Sequence, residues 1–183
     1  MLKNEQNIAS HKSCIIFAKL NSKVKYRREF KIKLFQEHET INLYSILFQG
    51  EEDTEFEKFF NKFKSDPKYL KDLQRIIYWI EKISERGALE RNFRTSESKM
   101  KDGVCAIPIE VCKLRLYCLR ISDRILILGN GDVKNQKTYN DKASLNDSVA
   151  VLASLDFFIK RRQEQHKIEI NDKTITGNLS FYI

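Results

Sequence analysis

Arg115, Tyr117 and Arg120 stand in the stretch LRLYCLRISDRILIL, and Lys134, Lys137 and Tyr139 follow it in GNGDVKNQKTY. Cations gathered this closely suit phosphate. Guanidinium and ammonium groups pair with its oxygens, and neighbouring positive charges lower a lysine's pKa toward the range where it can take a proton at neutral pH. Tyr139 can stack on an unpaired base or orient a nucleophile. The same residues on an ordinary surface turn are solvated charges, so their meaning depends on the elements that carry them. GNGDVK lacks the GxxxxGK[ST] spacing and precedes no immediate helix, which argues against a nucleoside-triphosphate loop.

Arg115 and Arg120 are five apart on one strand, so they point to opposite faces unless a bulge intervenes. Leu114, Leu116, Cys118 and Arg120 form the more apolar parity and are expected to face the helices. That leaves Arg115 and Tyr117 on an open face, with Arg120 escaping to the rim at the strand end. Three strands, in VCAIPIE, KLRLYCLR and RILILG, are separated by short turns and read as an antiparallel meander, after which GNGDVKNQKTY reads as a loop. Upstream, KVKYRREFKIKLFQEHE alternates apolar and basic residues like a one-sided strand, and INLYSILFQG is a second strand. Thr54 and Glu57 match a capping box, and Phe56, Phe59, Phe60 and Phe63 place four rings on one helical face. Asp66 and Pro67 predict the start of a second helix, with Leu70, Leu73, Ile77, Ile80 and Ile83 inward and Gly87 as its stop. A last helix is expected from Leu145 to Gln165, and the tail reads as strands around Asn171-Asp172.

The charge distribution points to the same block. Of the net +8, residues 1–50 hold 9 Lys and Arg against 4 Asp and Glu, and residues 91–143 hold 11 against 6, whereas residues 51–90 hold 8 against 10. A phosphate-bearing partner would therefore meet the strands and not the middle helices. The four cysteines form no CxxC pair, and three lie in apolar strand-like segments, so buried, reduced thiols are expected, with no metal site and no cofactor. No run approaches the length of a membrane span and the start does not read as a signal peptide, so the expected location is the cytoplasm, with no membrane partner.

The order of elements from Leu43 to Arg162 resembles the RelE/HigB/ParE superfamily of toxins from bacterial toxin–antitoxin modules. ISERGALERNFRTSE is similar to the helix end and strand start of HigB-like members, and LRLYCLRISDRILILGNGDVKNQKTY to their Arg-bearing strand, second strand and lysine-containing loop. Two departures stand out. Gly131-Asp132 occupies the place of a family aromatic, and the second lysine is displaced to Lys137. The resemblance implies an α+β fold in which an antiparallel sheet carries an N-terminal helical hairpin and a C-terminal helix. Residues 43–165 would form that domain, with a strand-bearing extension over 1–42 and a strand tail over 166–183.

The resemblance further implies an endoribonuclease, an mRNA interferase acting on the ribosome and neutralised by a cognate antitoxin protein. Cleaving RNA needs a base for the 2′-hydroxyl, cations for the charge developing on phosphate and an acid for the leaving oxygen. His11, His38 and His166 all lie outside the basic central block, so Arg115, Lys134, Lys137 and Tyr139 are the catalytic candidates. Tyr117 and Arg120 join them as RNA-binding candidates, as do Arg91, Arg94, Lys99 and Lys101, placed by position in the resembling family. The competing expectation is a non-catalytic, ParE-like or nucleic-acid- or protein-binding module of the same fold.

Overall fold

The structure, a computed structural model, describes residues 28–93, 103–109, 111–134 and 143–183. It opens with two strands, β1 (Glu29–Glu37) and β2 (Asn42–Phe48), paired as an antiparallel hairpin from Phe30↔Phe48 to Glu37↔Asn42. Val24 and Tyr26, expected to begin the first strand, lie outside the described residues. α1 (Glu55–Phe63) starts on the anticipated capping box: Thr54 Oγ1 accepts the Glu57 amide at 3.3 Å, and the Glu57 carboxylate accepts the Thr54 amide at 2.8 Å. Those bonds satisfy amides that a first turn leaves open. The Thr54 hydroxyl also donates to the Glu57 carboxylate at 2.7 Å, and this bond, followed by the Thr54 amide, holds the Glu57 carboxyl below its ordinary pKa. Phe56, Phe59 and Phe63 are buried, whereas Phe60, one row over, is 37% exposed at the rim.

α2 (Leu70–Arg86) begins later than Asp66-Pro67 suggests. The Asp66 carboxylate accepts the Lys68 amide at 2.9 Å and its carbonyl accepts the amides of Tyr69 and Leu70, which makes a turn ahead of the helix. Leu73, Ile76, Ile80 and Ile83 form the buried row. Gly87, at φ +86°, ends the helix, and the Ala88 amide donates to the Asp123 carbonyl at 2.7 Å, which docks the helix end on a strand turn. A short 3-10 turn, Glu90–Asn92, follows. Then come β3 (Val104–Ala106), β4 (Leu114–Ser122), β5 (Ile125–Val133), α3 (Ala143–Glu164), β6 (Ile168–Asn171), β7 (Thr174–Gly177) and β8 (Ser180–Tyr182).

The six-stranded sheet runs β3-β4-β5-β2-β1-β8, and β6 with β7 makes a separate hairpin. This corrects the antiparallel plan: β2 and β5 are parallel, from Asn42↔Ile125 to Ser45↔Leu128. The helical pair is not N-terminal either, because β1 and β2 precede it and the other helix comes near the C-terminal end. Ser45 rivets the parallel junction. Its hydroxyl donates to the Leu128 carbonyl at 2.8 Å and accepts the Phe56 amide of α1 at 3.2 Å, all in a buried setting.

Nor do the helices share one face. α1 and α2 pack with Leu43, Leu116, Cys118, Leu126 and Leu128 in one core. α3, through Leu152, Leu155 and Ile159, packs with Phe30, Ile46, Leu119, Ile125 and Ile127 in a second core on the other side. The physical reason is visible in Ile125, Leu126, Ile127 and Leu128, four consecutive residues with no exposure. A strand covered on both faces has no need to alternate. The face expected to be open is therefore the face under α3.

Candidate nucleic-acid interface

β4 and β5 pair from Leu114↔Val133 to Ser122↔Ile125, with a bulge: Leu116 opposes Gly131 while Cys118 opposes Leu128, so β5 carries one extra residue. GNGDV, anticipated as the start of a loop, is thus strand, and β5 runs through to Val133. A Cβ on Gly129 would come within 2.9 Å of the Leu152 side chain of α3, and one on Gly131 would overlap the Arg115 carbonyl oxygen. Both glycines permit close backbone approach, which is their usual meaning inside a strand.

Alternation along β4 holds. Leu114, Leu116 and Cys118 enter the α1/α2 core, and Tyr117 and Leu119 the α3 side. Arg115, of the same parity, is half-buried, and its cross-strand partner is Asp132. Burial raises the Tyr117 phenol's pKa and the nearby Arg115 charge partly offsets this. Tyr117 therefore offers a hydroxyl donor or a ring surface at neutral pH, and not a base. Lys134 is exposed just past β5, and its amide donates to the Lys113 carbonyl at 2.6 Å. Arg115, Tyr117 and Lys134, together with the exposed Lys113, are brought to the open end of the β4–β5 ladder.

Arg120 belongs elsewhere. It lies roughly 17 Å along the strand from Arg115, at about 3.3 Å per residue, and its Nε donates to the Ala88 carbonyl at 2.6 Å while Nη2 pairs with the Asp123 carboxylate. These bonds tie the end of α2 to the β4–β5 turn, a structural use of the guanidinium. Arg91 is exposed in the 3-10 turn at that same far end. Arg94, Lys99, Lys101, Lys137 and Tyr139 lie outside the described residues.

Three groups at the open end have no clear sequence signature. Lys62, on α1, reaches the Asp132 carboxylate at 2.8 Å, although its place on an amphipathic helix suggests only a solvated charge. Lys113 is notable only because a folded ladder sets it opposite Lys134. Asp72, at the start of α2, is nearly buried and accepts the Lys113 amide at 2.9 Å and Arg75 Nη1 at 3.2 Å. The one advance signal for Asp72 is an acid in a helix's first turn, which usually means no more than a dipole contact.

Among the described residues no group of His, Cys, Asp and Glu could hold a metal ion, and no helix is long and apolar enough to cross a membrane. Cys105 and Cys118 are buried free thiols on paired strands, their sulfurs 3.5 Å apart. Comparison with protein-family models, with curated proteins and with solved structures finds no match to this chain.

Proposed function

We propose that the chain is an RNA-cleaving toxin of the kind its sequence resembles, binding messenger RNA on the ribosome at the open end of β4 and β5 and held in check by a cognate antitoxin protein. The observation that supports this reading is the gathering of Arg115, Lys113 and Lys134 at one end of a rigid ladder, with Tyr117 beside Arg115. In this reading Arg115 and Lys134 hold the scissile phosphate. The 2′-hydroxyl loses its proton and attacks phosphorus, the bond to the 5′-oxygen breaks, and that oxygen takes up a proton, leaving a 2′,3′-cyclic phosphate. Cations set around the phosphate stabilise the charge that grows there. Lys137 and Tyr139, which follow Lys134 in the chain, are the remaining members of the set implied by the resemblance.

Induction in a bacterium without antitoxin, followed by primer extension on cellular mRNA, tests the proposal. New 5′ ends are expected with wild type, and Arg115→Ala and Lys134→Ala should each reduce cleavage by roughly 10²-fold, the usual cost of removing a transition-state donor. Wild-type protein that is folded and gives no new ends would overturn it. A second reading, an RNA-binding module without cleavage, is favoured by Arg120's structural engagement and by Tyr117's raised pKa. It predicts RNA affinity with intact transcripts.

A further inference from the structure

The far end of the molecule carries a cleft that the proposed cleavage site does not use. It encloses about 230 Å³ on the outer side of α2 and is lined by Tyr78, Trp79, Lys82, Ile83, Arg86 and Asn92. At about 30 Å³ of liquid per water, that equals roughly eight waters, enough for one planar ring system. Tyr78 and Lys82 are four apart on the helix, as are Trp79 and Ile83 and, one turn on, Lys82 and Arg86, so the lining follows neighbouring ridges of one surface.

Two features of this lining are unusual for a plain helix surface. Tyr78 is 56% exposed, although a tyrosine ring gains by burial, and Trp79 beside it is only partly covered. The cations divide into two kinds. Lys82 is held by Glu85 at 2.7 Å and lies 5.6 Å from the centre of the Tyr78 ring. Arg86 forms no ion pair or side-chain hydrogen bond among the described residues, and neither does Arg91, the residue before the lining Asn92. Of the acids near these residues in sequence, Glu81, Glu85 and Glu90, only Glu85 is paired to a cation of the lining.

We propose that this cleft is a contact site for single-stranded nucleic acid, with a base stacked against Tyr78 and Trp79 and the flanking phosphates taken by Arg86 and Arg91. An exposed aromatic pair with unpaired arginines beside it is the arrangement that sequence-tolerant single-strand binders use: rings for the bases and cations for the backbone. An acidic peptide would use the arginines equally well, yet would leave the exposed Tyr78 ring without a purpose. The cleft adjoins the β4–β5 turn, where Ala88 and Arg120 meet, at the opposite end of the strands from Arg115 and Lys134. The proposal therefore stands apart from cleavage, and it departs from the charge balance of residues 51–90, because Arg86 and Arg91 at this end of α2 pair with no acid among the described residues.

The chain has one tryptophan, Trp79, so emission excited selectively from tryptophan reports on this cleft alone. Titration of the full chain with an oligouridylate of ten residues should quench that emission to saturation, in step with binding followed by anisotropy of a labelled oligonucleotide. Tyr78→Ala should weaken the quenching transition roughly tenfold. Arg86→Ala should flatten its salt dependence, since a phosphate that the protein no longer neutralises keeps its counterion. Arg115→Ala and Lys134→Ala should leave the quenching midpoint in place, which separates failure here from failure of the cleavage site. Thermal melts establish that each variant is folded. The proposal is overturned if the oligonucleotide binds without changing Trp79 emission, if it does not bind, if Arg86→Ala and Tyr78→Ala titrate like wild type, or if polyglutamate quenches as strongly as RNA.

Discussion

Replacing Asp72 by alanine tests how the phosphate-handling end of the sheet is held. Asp72 accepts two bonds: the Lys113 amide at 2.9 Å, within the polypeptide leading into β4, and Arg75 Nη1 at 3.2 Å. Lys113 in turn accepts the Lys134 amide at 2.6 Å, so the carboxylate anchors both strands to α2 at one remove. A hydrogen bond to a charged acceptor contributes about 1.5–3 kcal/mol. Arg75 is half-exposed and its pairing adds little after solvent screening, well under about 1 kcal/mol. The sum is about 2 kcal/mol, which for a chain of this size lowers the melting temperature by about 4–8 °C. Asp72→Asn keeps an oxygen for the Lys113 amide and should recover more than half of the loss, whereas Arg75→Ala should cost less than Asp72→Ala even though its bond to the Val111 carbonyl goes as well. Urea denaturation of the three variants supplies the numbers. If Asp72→Ala loses under about 0.5 kcal/mol, or if Asp72→Asn is no better than alanine, the anchoring argument fails.

Gly131→Ala should cost about 1–3 kcal/mol by forcing β5 away from the Arg115 carbonyl, and should weaken RNA binding at Lys134 as well, read by melting and by anisotropy. Arg120→Ala should destabilise by about 1–3 kcal/mol, because it strips the Ala88 carbonyl of its donor, while leaving any cleavage activity per folded molecule unchanged. Arg115→Ala should lower cleavage activity per folded molecule. Burial raises the Cys112 thiol to about 11 from an ordinary value of 9.0, and raises Cys118 and Tyr117 too. Groups whose folded pKa lies above the unfolded one leave stability intact below the unfolded pKa and withdraw it as pH rises toward the folded one. Melting temperature should thus hold up to about pH 9 and fall toward pH 11, and a flat profile across that window would contradict the burial of these groups.

Local chemistry is legible in the sequence because it is decided locally. The Thr54–Glu57 capping box and the stop of α2 at Gly87 follow from contacts three or four residues apart, and the structure keeps them; of the expected apolar row it buries Leu73, Ile80 and Ile83, with Ile76 in place of the partly buried Ile77 and Leu70 left exposed. The alternation of β4 is also readable, since one of its faces carries Arg115 and Tyr117. Features fixed by a partner distant in sequence are not. Whether Tyr117 looks onto solvent or onto a helix depends on where α3 lands, and four apolar residues in a row at Ile125 fit a one-sided strand as poorly as they fit a helix. GNG reads as a loop because glycines punctuate turns more often than they relieve crowding, and only the pairing of β5 with β4 and the packing of α3 reveal the second use. Lys113 and Asp72 gain their meaning from a single bond spanning 41 residues, which no periodicity encodes.

The parallel junction riveted by Ser45 has a consequence for how the chain comes to be folded at all. Ser45 waits for a carbonyl 83 residues further on, and β1 waits longer still, for β8. During vectorial synthesis the β1–β2 hairpin emerges well before β5, and six of the seven residues of β2 end buried, yet its outer edge stays unpaired until β5 has been made. Long-range pairing of this kind folds slowly and leaves sticky edges in the meantime. Expression at high rate should therefore favour aggregation, and slowing translation or supplying a chaperone that shields strand edges should raise the yield of active protein more than any single stabilising substitution would.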